Sequence, residues 1–172
     1  APRTLARLAS WSESDEPQLR YFSGRAVYEK TLGPSLFKDV PVGSAARVVL
    51  DLGEVRDVVN LSVDGRFLAC LWAPPYRIAL PSATVESARS RGLELRLEVV
   101  NTWPNRMIGD AIARRDGAAE PKRDGYPEWV LADESDSGTG IYTWSNFDYG
   151  WTAGDRPLPA GLIGPVSLGY NR

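Results

Sequence analysis

Residues 93–100 read LELRLEVV, and this stretch decides the fold. Apolar side chains stand at every second position and alternate with charged ones. Successive side chains of a β-strand point to opposite faces, so one face of this strand is apolar and the other is charged. Burying each apolar side chain contributes roughly 1.5 to 3 kcal/mol before conformational entropy is subtracted. We therefore predict a strand with a core-facing side formed by Leu93, Leu95, Leu97 and Val99.

Short strand patterns recur on both sides of this stretch. RVVLDLG at 47–53 and VVNLSV at 58–63 place apolar side chains at alternate positions. Asp64 and Gly65 follow the second pattern, and both tolerate the positive φ that a two-residue hairpin turn requires. RFLACLW at 66–72 is therefore predicted to be the return strand of a hairpin.

The rest of the chain is predicted to consist of further strands and of loops. Strands are predicted at 21–32 (YFSGRAVYEKTL), 140–147 (GIYTWSNF) and 161–170 (GLIGPVSLGY). Residues 81–92 are predicted to be a loop with at most one helical turn, and about 101–138 a long irregular loop. Short strands, many Gly and Pro turns and the lack of an amphipathic helical pattern favour an all-β, antiparallel β-sandwich. A length of 172 residues fits a single domain over 1–172.

The composition argues against several classes of partner and catalyst. The 20 basic and 22 acidic residues are interspersed and give a net charge of -2, so neither nucleic acid nor an anionic membrane is an expected partner. No apolar run approaches the ~20 residues of a membrane helix. The chain has no histidine, which excludes Ser-His-Asp catalysis and histidine-ligated metal sites.

The single cysteine and the first residues say little about the compartment. Cys70 has no intrachain partner for a disulfide, and it stands between apolar neighbours, so we predict a small buried hydrophobic residue. The first ten residues, APRTLARLAS, lack the apolar core of a signal peptide. A leader outside this sequence stays compatible with both observations.

Five segments carry a resemblance to a known family. They are YFSGRAVYEKTL, LDLGEVRDVVNLSVDGRFLACLWAPPYRIAL, LEVVNTWPNRMIGD, YTWSNF and PLPAGLIGPVSL. They resemble, in the same order, the C-terminal β-sandwich of the bacterial α-L-rhamnosidases of glycoside hydrolase family 106, from about Trp11 to Leu168. The family's domain is a galactose-binding-like jelly roll, related to the sugar-binding domain of family 2 glycosidases.

The resemblance implies a domain that accompanies a catalyst. Asp64, Ala69 and Leu93 depart from the family's usual residues, but these are turn and core substitutions that leave the expected fold unchanged. The family's catalytic carboxylates lie in a separate, larger barrel that has no counterpart in this sequence. We therefore expect no catalytic residues here, an α-L-rhamnosidase-like parent protein, and secretion or a periplasmic location for that parent.

The first candidate site is a short segment after the strongest strand. Sugars stack an apolar ring face on an aromatic side chain, while amides, carboxylates and guanidinium groups take their hydroxyls. Trp103, Asn105, Arg106 and Asp110 supply all four groups. Three alternatives stay open: sugar binding, a structural pair of Arg106 with Asp110 beside a core Trp103, or an interface with another domain.

The second candidate site combines aromatic residues from two parts of the sequence. Loops at one end of a sandwich converge in space even when they are far apart in the chain. The alternative is ordinary packing, which is favoured for Trp72 and Trp144 because both stand in strand-like runs. The residues are Trp144, Asn146, Tyr149 and Trp151, with Trp72 and Tyr76 as possible neighbours.

Acidic residues late in the chain suggest two weaker hypotheses. DESDSG at 133–138 mimics the start of an EF-hand loop, but Trp144 stands where the bidentate Glu is required, so a solvated turn is favoured. We expect no cofactor and no metal ligands, with structural calcium as the alternative. Glycoside hydrolysis uses a pair of carboxylates, which these acidic residues could supply: Glu128, Asp133, Glu134 and Asp136. Nothing in their spacing fixes the separation between two of them, and acidic surface loops are common, so an active site here is not favoured.

The sequence thus favours one function and keeps two alternatives. The favoured one is a non-catalytic, carbohydrate-binding-like accessory domain of an α-L-rhamnosidase-type glycoside hydrolase. Its expected partners are a rhamnose-containing glycan or the catalytic domain of the same parent chain. The alternatives are a purely structural domain that packs on a catalytic barrel, and a small autonomous glycosidase that uses loop carboxylates.

Overall fold

The computed structural model describes residues 2–40, 47–134 and 137–171. The strands are β1 (Arg25–Leu32), β2 (Arg47–Asp51), β3 (Glu54–Arg56), β4 (Val58–Val63), β5 (Arg66–Leu71), β6 (Arg77–Ala79), β7 (Leu93–Val100), β8 (Lys122–Arg123), β9 (Tyr126–Pro127), β10 (Gly161–Gly164) and β11 (Ser167–Asn171). The helices are α1 (Pro17–Arg20), α2 (Ser82–Arg91), α3 (Pro104–Arg115) and α4 (Glu128–Leu131). Every strand pairing that the structure describes is antiparallel. The prediction of a mostly antiparallel β fold is confirmed, and the jelly-roll connectivity stays a prediction.

The chain divides into two compact units. Unit 1 comprises residues 1–10, 25–101 and 160–172, and it contains β1 to β7, α2, β10 and β11. Unit 2 comprises residues 11–24 and 102–159, and it contains α1, α3, β8, β9 and α4. The prediction of one domain over 1–172 stays a prediction.

Strand β7 lies inside the largest sheet of unit 1. The order of that sheet is β1-β7-β4-β5, so β7 is hydrogen-bonded to a neighbour on each side. The predicted alternation is confirmed, because Leu93, Leu95, Leu97 and Val99 are all buried. Val59 and Leu61 of β4 pair with Val99 and Leu97, and both are fully buried as well. This apolar layer is the core against which unit 1 is built.

The predicted hairpin is also confirmed. Asp64 and Gly65 have φ values of 49° and 75° and connect β4 to β5. The register shifts after Leu61, which pairs with Ala69, whereas Ser62 already pairs with Phe67. This irregularity leaves Cys70 opposite Asn60 on the outer face, where the thiol is exposed. The prediction of a buried Cys70 is therefore wrong.

Two smaller sheets complete unit 1. One has the order β11-β2-β6, and the other pairs β10 with β3. The predicted strand at 161–170 is present as β10 and β11, which are separated around Pro165. Proline has no amide hydrogen to donate to a strand neighbour, and the interruption follows from that.

The prediction for residues 81–92 is wrong, because most of this segment is the ten-residue helix α2. Only Val85 and Ala88 of the helix are buried, three residues apart on one face, so its apolar pattern is too sparse to recognise. The helix begins after Pro81 and ends at Gly92, which has φ 79°. Proline at the start and glycine at the end are favourable for a helix. A side chain at Gly92 would meet the carbonyl oxygen of Leu32.

The prediction of an irregular loop over about 101–138 is wrong for α3, which has twelve residues. Pro104 is the first helical residue, where its missing N–H removes no helical hydrogen bond. Arg114 and Arg115 occupy the last turn, where cations are favourable. None of the described helices has the length and apolarity to cross a membrane.

Candidate functional site

Helix α3 carries three of the four residues of the first candidate site, and Trp103 precedes its first turn. The start of the helix is fixed by Ser23, also in unit 2. The Ser23 hydroxyl donates to the carbonyl of Thr102 at 2.8 Å and accepts the amide of Arg106 at 3.2 Å. One hydroxyl therefore satisfies a helical N–H that has no partner within the helix.

Asp110 is a buried structural anchor. Its side chain is fully buried, and its Oδ1 accepts a hydrogen bond from Arg106 Nε at 2.8 Å. Its Oδ2 accepts the amides of Tyr142 and Thr143 at 3.1 and 2.7 Å and the Thr143 hydroxyl at 2.6 Å. Four donors therefore satisfy this buried carboxylate, which is acceptor-only when ionised. The predicted pairing of Arg106 with Asp110 is thus present, and it holds the segment at Tyr142 and Thr143.

This anchor explains why the predicted strand at 140–147 is wrong. No strand is assigned to these residues, although their sequence has strand character. The amides of Tyr142 and Thr143 donate to the Asp110 carboxylate, where a strand would donate to its neighbour. Because each buried backbone N–H needs a partner, a side chain here takes the place of a sheet.

Arg106 is held between Asp110 and an aromatic ring. Its guanidinium carbon lies 4.6 Å from the centroid of the Tyr142 ring, which is a cation–π distance. The guanidinium also crosses Gly109, where an added Cβ would meet Arg106 Nη2 and would lie 2.7 Å from Tyr21 Cβ. Glycine inside a helix is unfavourable by roughly 0.5–1 kcal/mol relative to alanine. The close approach of Arg106 and Tyr21 explains why a residue without a side chain stands here.

Asn105 is a second structural residue. It is 2% exposed, its Nδ2 donates to the carbonyl of Leu158 at 2.8 Å, and its Oδ1 accepts the amide of the same residue at 2.7 Å. The side chain thus pairs with both backbone groups of Leu158. Neither this amide nor the Asp110 carboxylate faces solvent to receive a ligand.

Trp103 differs from its neighbours because 59% of its surface is exposed. The interpretation as a core residue is wrong. The ring remains available for stacking on a sugar or on another domain, and the prediction of a binding role is not tested by the structure.

The second candidate site contains residues with different environments. Trp144 is half-buried, and its ring centroid lies 5.1 Å from that of Tyr126. Tyr149 is 57% exposed and Asn146 is also exposed, whereas Trp151 is half-buried. All of them belong to unit 2. The chain after Trp151 turns where the Asp155 carboxylate accepts the Thr152 hydroxyl and amide, and these hydrogen bonds lower the pKa of Asp155.

Trp72 and Tyr76 belong to unit 1, so their predicted proximity to the second site stays a prediction. Trp72 is 75% exposed, and the packing interpretation of this residue is wrong. Tyr76 is buried, and its hydroxyl donates to the carbonyl of Asp57 at 2.8 Å. Burial raises the pKa of Tyr76. Its ring and hydroxyl are therefore already engaged within unit 1.

A polar cluster centred on Glu120 was not predicted from the sequence. Glu120 accepts hydrogen bonds from Arg114 Nε at 2.7 Å and from Trp129 Nε1 at 3.3 Å. Arg114 also donates to the carbonyl of Thr143 at 3.0 Å. Burial alone would raise the pKa of Glu120, but these hydrogen bonds outweigh it and the pKa is lowered. No motif connects these positions, so the sequence offers no signal for the cluster.

The structure describes no metal centre in the ranges that it covers, since no three or more Cys, Asp or Glu side chains come together there in a way that suits a metal ion. The proposed calcium segment includes residues 135 and 136, which lie outside the described residues, as does the candidate carboxylate Asp136. Glu128, Asp133 and Glu134 are exposed.

Two known proteins are similar to nearly the whole chain, while no family model matches it. The chain is 32% identical over 166 residues to a protein of Formosa agariphila named "Putative beta-glucuronidase", and the alignment covers 94% of this chain and 13% of that protein. The structure of a rhamnosidase from Novosphingobium sp. PP1Y matches with a TM-score of 0.67 and 30% identity, over 97% of this chain and 13% of that one. The chain is a glycosidase-related domain.

The glycosidase-related domain spans only about an eighth of the proteins that it resembles. The expected relation to glycosidases is confirmed at this level. The finer assignment to the C-terminal domain of family 106, and sugar binding itself, stay predictions.

Proposed function

We propose that this chain is a non-catalytic, carbohydrate-binding-like accessory domain of an α-L-rhamnosidase-type glycoside hydrolase. The single observation that carries the proposal is the match of 97% of this chain to 13% of a rhamnosidase chain. A segment of that size accompanies a much larger remainder in the relative. The galactose-binding-like jelly roll of the resembling family belongs to the same proposal.

Exposed aromatic side chains support a carbohydrate-binding role. Trp103 and Tyr149 are 59% and 57% exposed on unit 2. A ring that stacks on a sugar and removes about 150 Å² of apolar surface from water gains about 4 kcal/mol before the entropy of association is subtracted. Binding by the isolated domain is therefore expected in the range of about high micromolar to millimolar.

A second candidate function is a purely structural domain that packs on the catalytic domain of its parent. The observation that favours it is the use of Asn105 and Asp110, whose hydrogen bonds go to backbone groups and to Arg106. Two of the four residues of the first site are thus unavailable to a sugar. Exposed tryptophan and arginine are also enriched at protein interfaces.

Titration of the 172-residue chain with rhamnose-containing oligosaccharides separates the two candidates. We expect saturable binding that is weakened several-fold by Trp103→Ala or Trp151→Ala. Phe67→Ala is a matched control, because Phe67 is 66% exposed and belongs to unit 1. No saturable signal at tens of millimolar ligand would leave the structural candidate in place.

The non-catalytic part of the proposal has its own test. The chain is expected not to hydrolyse an aryl α-L-rhamnoside. Turnover that disappears in Glu128→Gln, an exposed carboxylate of unit 2, would show that the chain is an autonomous glycosidase and would overturn the proposal.

A further inference from the structure

The guanidinium of Arg106 keeps one edge free of hydrogen bonds to the described residues. Its Nε donates to Asp110, whereas no partner in those ranges accepts from Nη1 or Nη2. Arg89 Nε is the only fully buried side-chain polar atom without a hydrogen-bond partner among the described residues. Nη1 and Nη2 of Arg106 are therefore not fully buried. The side chain is 16% exposed, so this edge reaches solvent at the surface of unit 2.

Asp110 does not compete for this free edge. Its two oxygens accept four hydrogen bonds, from Arg106 Nε and from groups of Tyr142 and Thr143. No hydrogen bond joins either carboxylate oxygen to Nη1 or Nη2, and the bond to Nε holds the guanidinium in one orientation. A guanidinium whose rotation is already restricted loses little entropy when it binds a second group.

Aromatic surface lies beside the free edge. The Tyr142 ring is in cation–π contact with Arg106 and is 42% exposed. Trp103 is 59% exposed and stands three residues before Arg106, a spacing that brings two side chains to one face of a helix. The surface thus combines apolar rings with the two NH₂ groups of a fixed cation, which make no hydrogen bond to the described residues.

We propose that Arg106 binds the carboxylate of an acidic sugar, a uronate, whose ring lies on Trp103 or Tyr142. Paired N–H groups of a guanidinium match the two oxygens of a carboxylate, and such charge-assisted hydrogen bonds are about twice as strong as those to neutral groups. Neutral sugar hydroxyls can also accept from this edge, but more weakly. The inference rests on the proposed carbohydrate-binding function and adds the class of sugar.

The test compares two sugars that differ only at this group. The 172-residue chain is titrated by NMR with methyl α-D-galacturonoside and with methyl α-D-galactoside, which has a hydroxymethyl group in place of the carboxylate. We expect the uronoside to bind about tenfold more tightly. In Arg106→Gln, with folding checked by the amide spectrum, this preference is expected to disappear.

If Arg106→Gln does not fold, variants at exposed residues still test the inference. Trp103→Ala is expected to weaken uronoside binding several-fold, and Phe67→Ala, at an exposed ring of unit 1 that belongs to neither candidate site, is expected to leave it unchanged. Equal affinity for the two sugars, or a preference that persists in folded Arg106→Gln, overturns the inference. Binding of rhamnose-containing oligosaccharides without any uronoside preference overturns this inference alone. Absence of all saccharide binding overturns it together with the proposed function.

Discussion

Strand β7 and helix α3 follow each other in the chain, yet they are stabilised in different ways. The strand buries four apolar side chains on one face of a sheet. The helix buries Ile108 together with two polar residues, Asn105 and Asp110. Backbone amides of loop segments donate hydrogen bonds to these polar residues and are held against the helix. Polar residues that resemble a ligand site in sequence can thus be internal structural supports.

The first way to test this contrast is to remove apolar volume from the strand. Leu97→Ala deletes a buried side chain that is 5% exposed, and we expect the free energy of unfolding to fall by about 2–5 kcal/mol. Urea denaturation measures the change. Arg96→Ala, on the charged face of the same strand, is the control and should cost less than about 1 kcal/mol, because the Arg96 side chain is 47% exposed and its ion pairs are long, at 3.7 Å. Equal losses in the free energy of unfolding of the two variants would show that burial of the apolar face does not dominate the stability of the strand.

The second way is to weaken the polar anchor of the helix. Asp110→Asn replaces one acceptor oxygen by an NH₂ group that faces donors, and we expect a loss of about 3 kcal/mol. Hydrogen exchange should accelerate at the amides of Tyr142 and Thr143, which donate to this carboxylate. Asp116→Asn, at the exposed end of the same helix, should leave both amides unchanged. Unaltered exchange in Asp110→Asn would contradict the anchoring role.

Acid is expected to destabilise unit 2 by protonating Glu120. The pKa of Glu120 lies below its ordinary value of 4.5, so its contribution to stability is present above that pH and is lost as the pH falls through the lowered pKa. Glu120→Gln is expected to lower stability at pH 7 by about 1 kcal/mol. The difference from the unmodified chain should shrink below about pH 4. Urea denaturation across pH 2–7 measures it, and a constant difference would contradict the prediction.

The smallest expected effect concerns the exposed tryptophans of the two units. Trp103→Ala and Trp72→Ala remove rings that are 59% and 75% exposed. We expect each to change the free energy of unfolding by less than about 0.5 kcal/mol. Thermal and urea unfolding are sufficient to check this. A loss above about 1 kcal/mol in either variant would mean that the ring is part of the packing and would remove it from the candidate surface.

Sequence patterns predicted the parts of the fold that depend on apolar alternation and turn chemistry. Residues 93–100 and the turn at Asp64 and Gly65 are examples, because a period of two and a positive φ are local properties. The contacts of Asp110 with Tyr142 and Thr143 could not be predicted, since they join distant positions through a side chain. The same limit applies to the candidate site, whose residue types are visible in sequence while their exposure is not.

The Asp110 carboxylate also has a consequence for the length of the chain between α3 and Tyr142. Because this carboxylate binds the amides of Tyr142 and Thr143 directly, the chain returns to α3 at a fixed point. Doubling the length of a flexible loop costs only about 0.6 kcal/mol in closure entropy. Insertions at the exposed turn of Asp124 and Gly125, between β8 and β9, are therefore expected to leave Tyr142 in place, which makes this turn a suitable site to graft a peptide or a reporter.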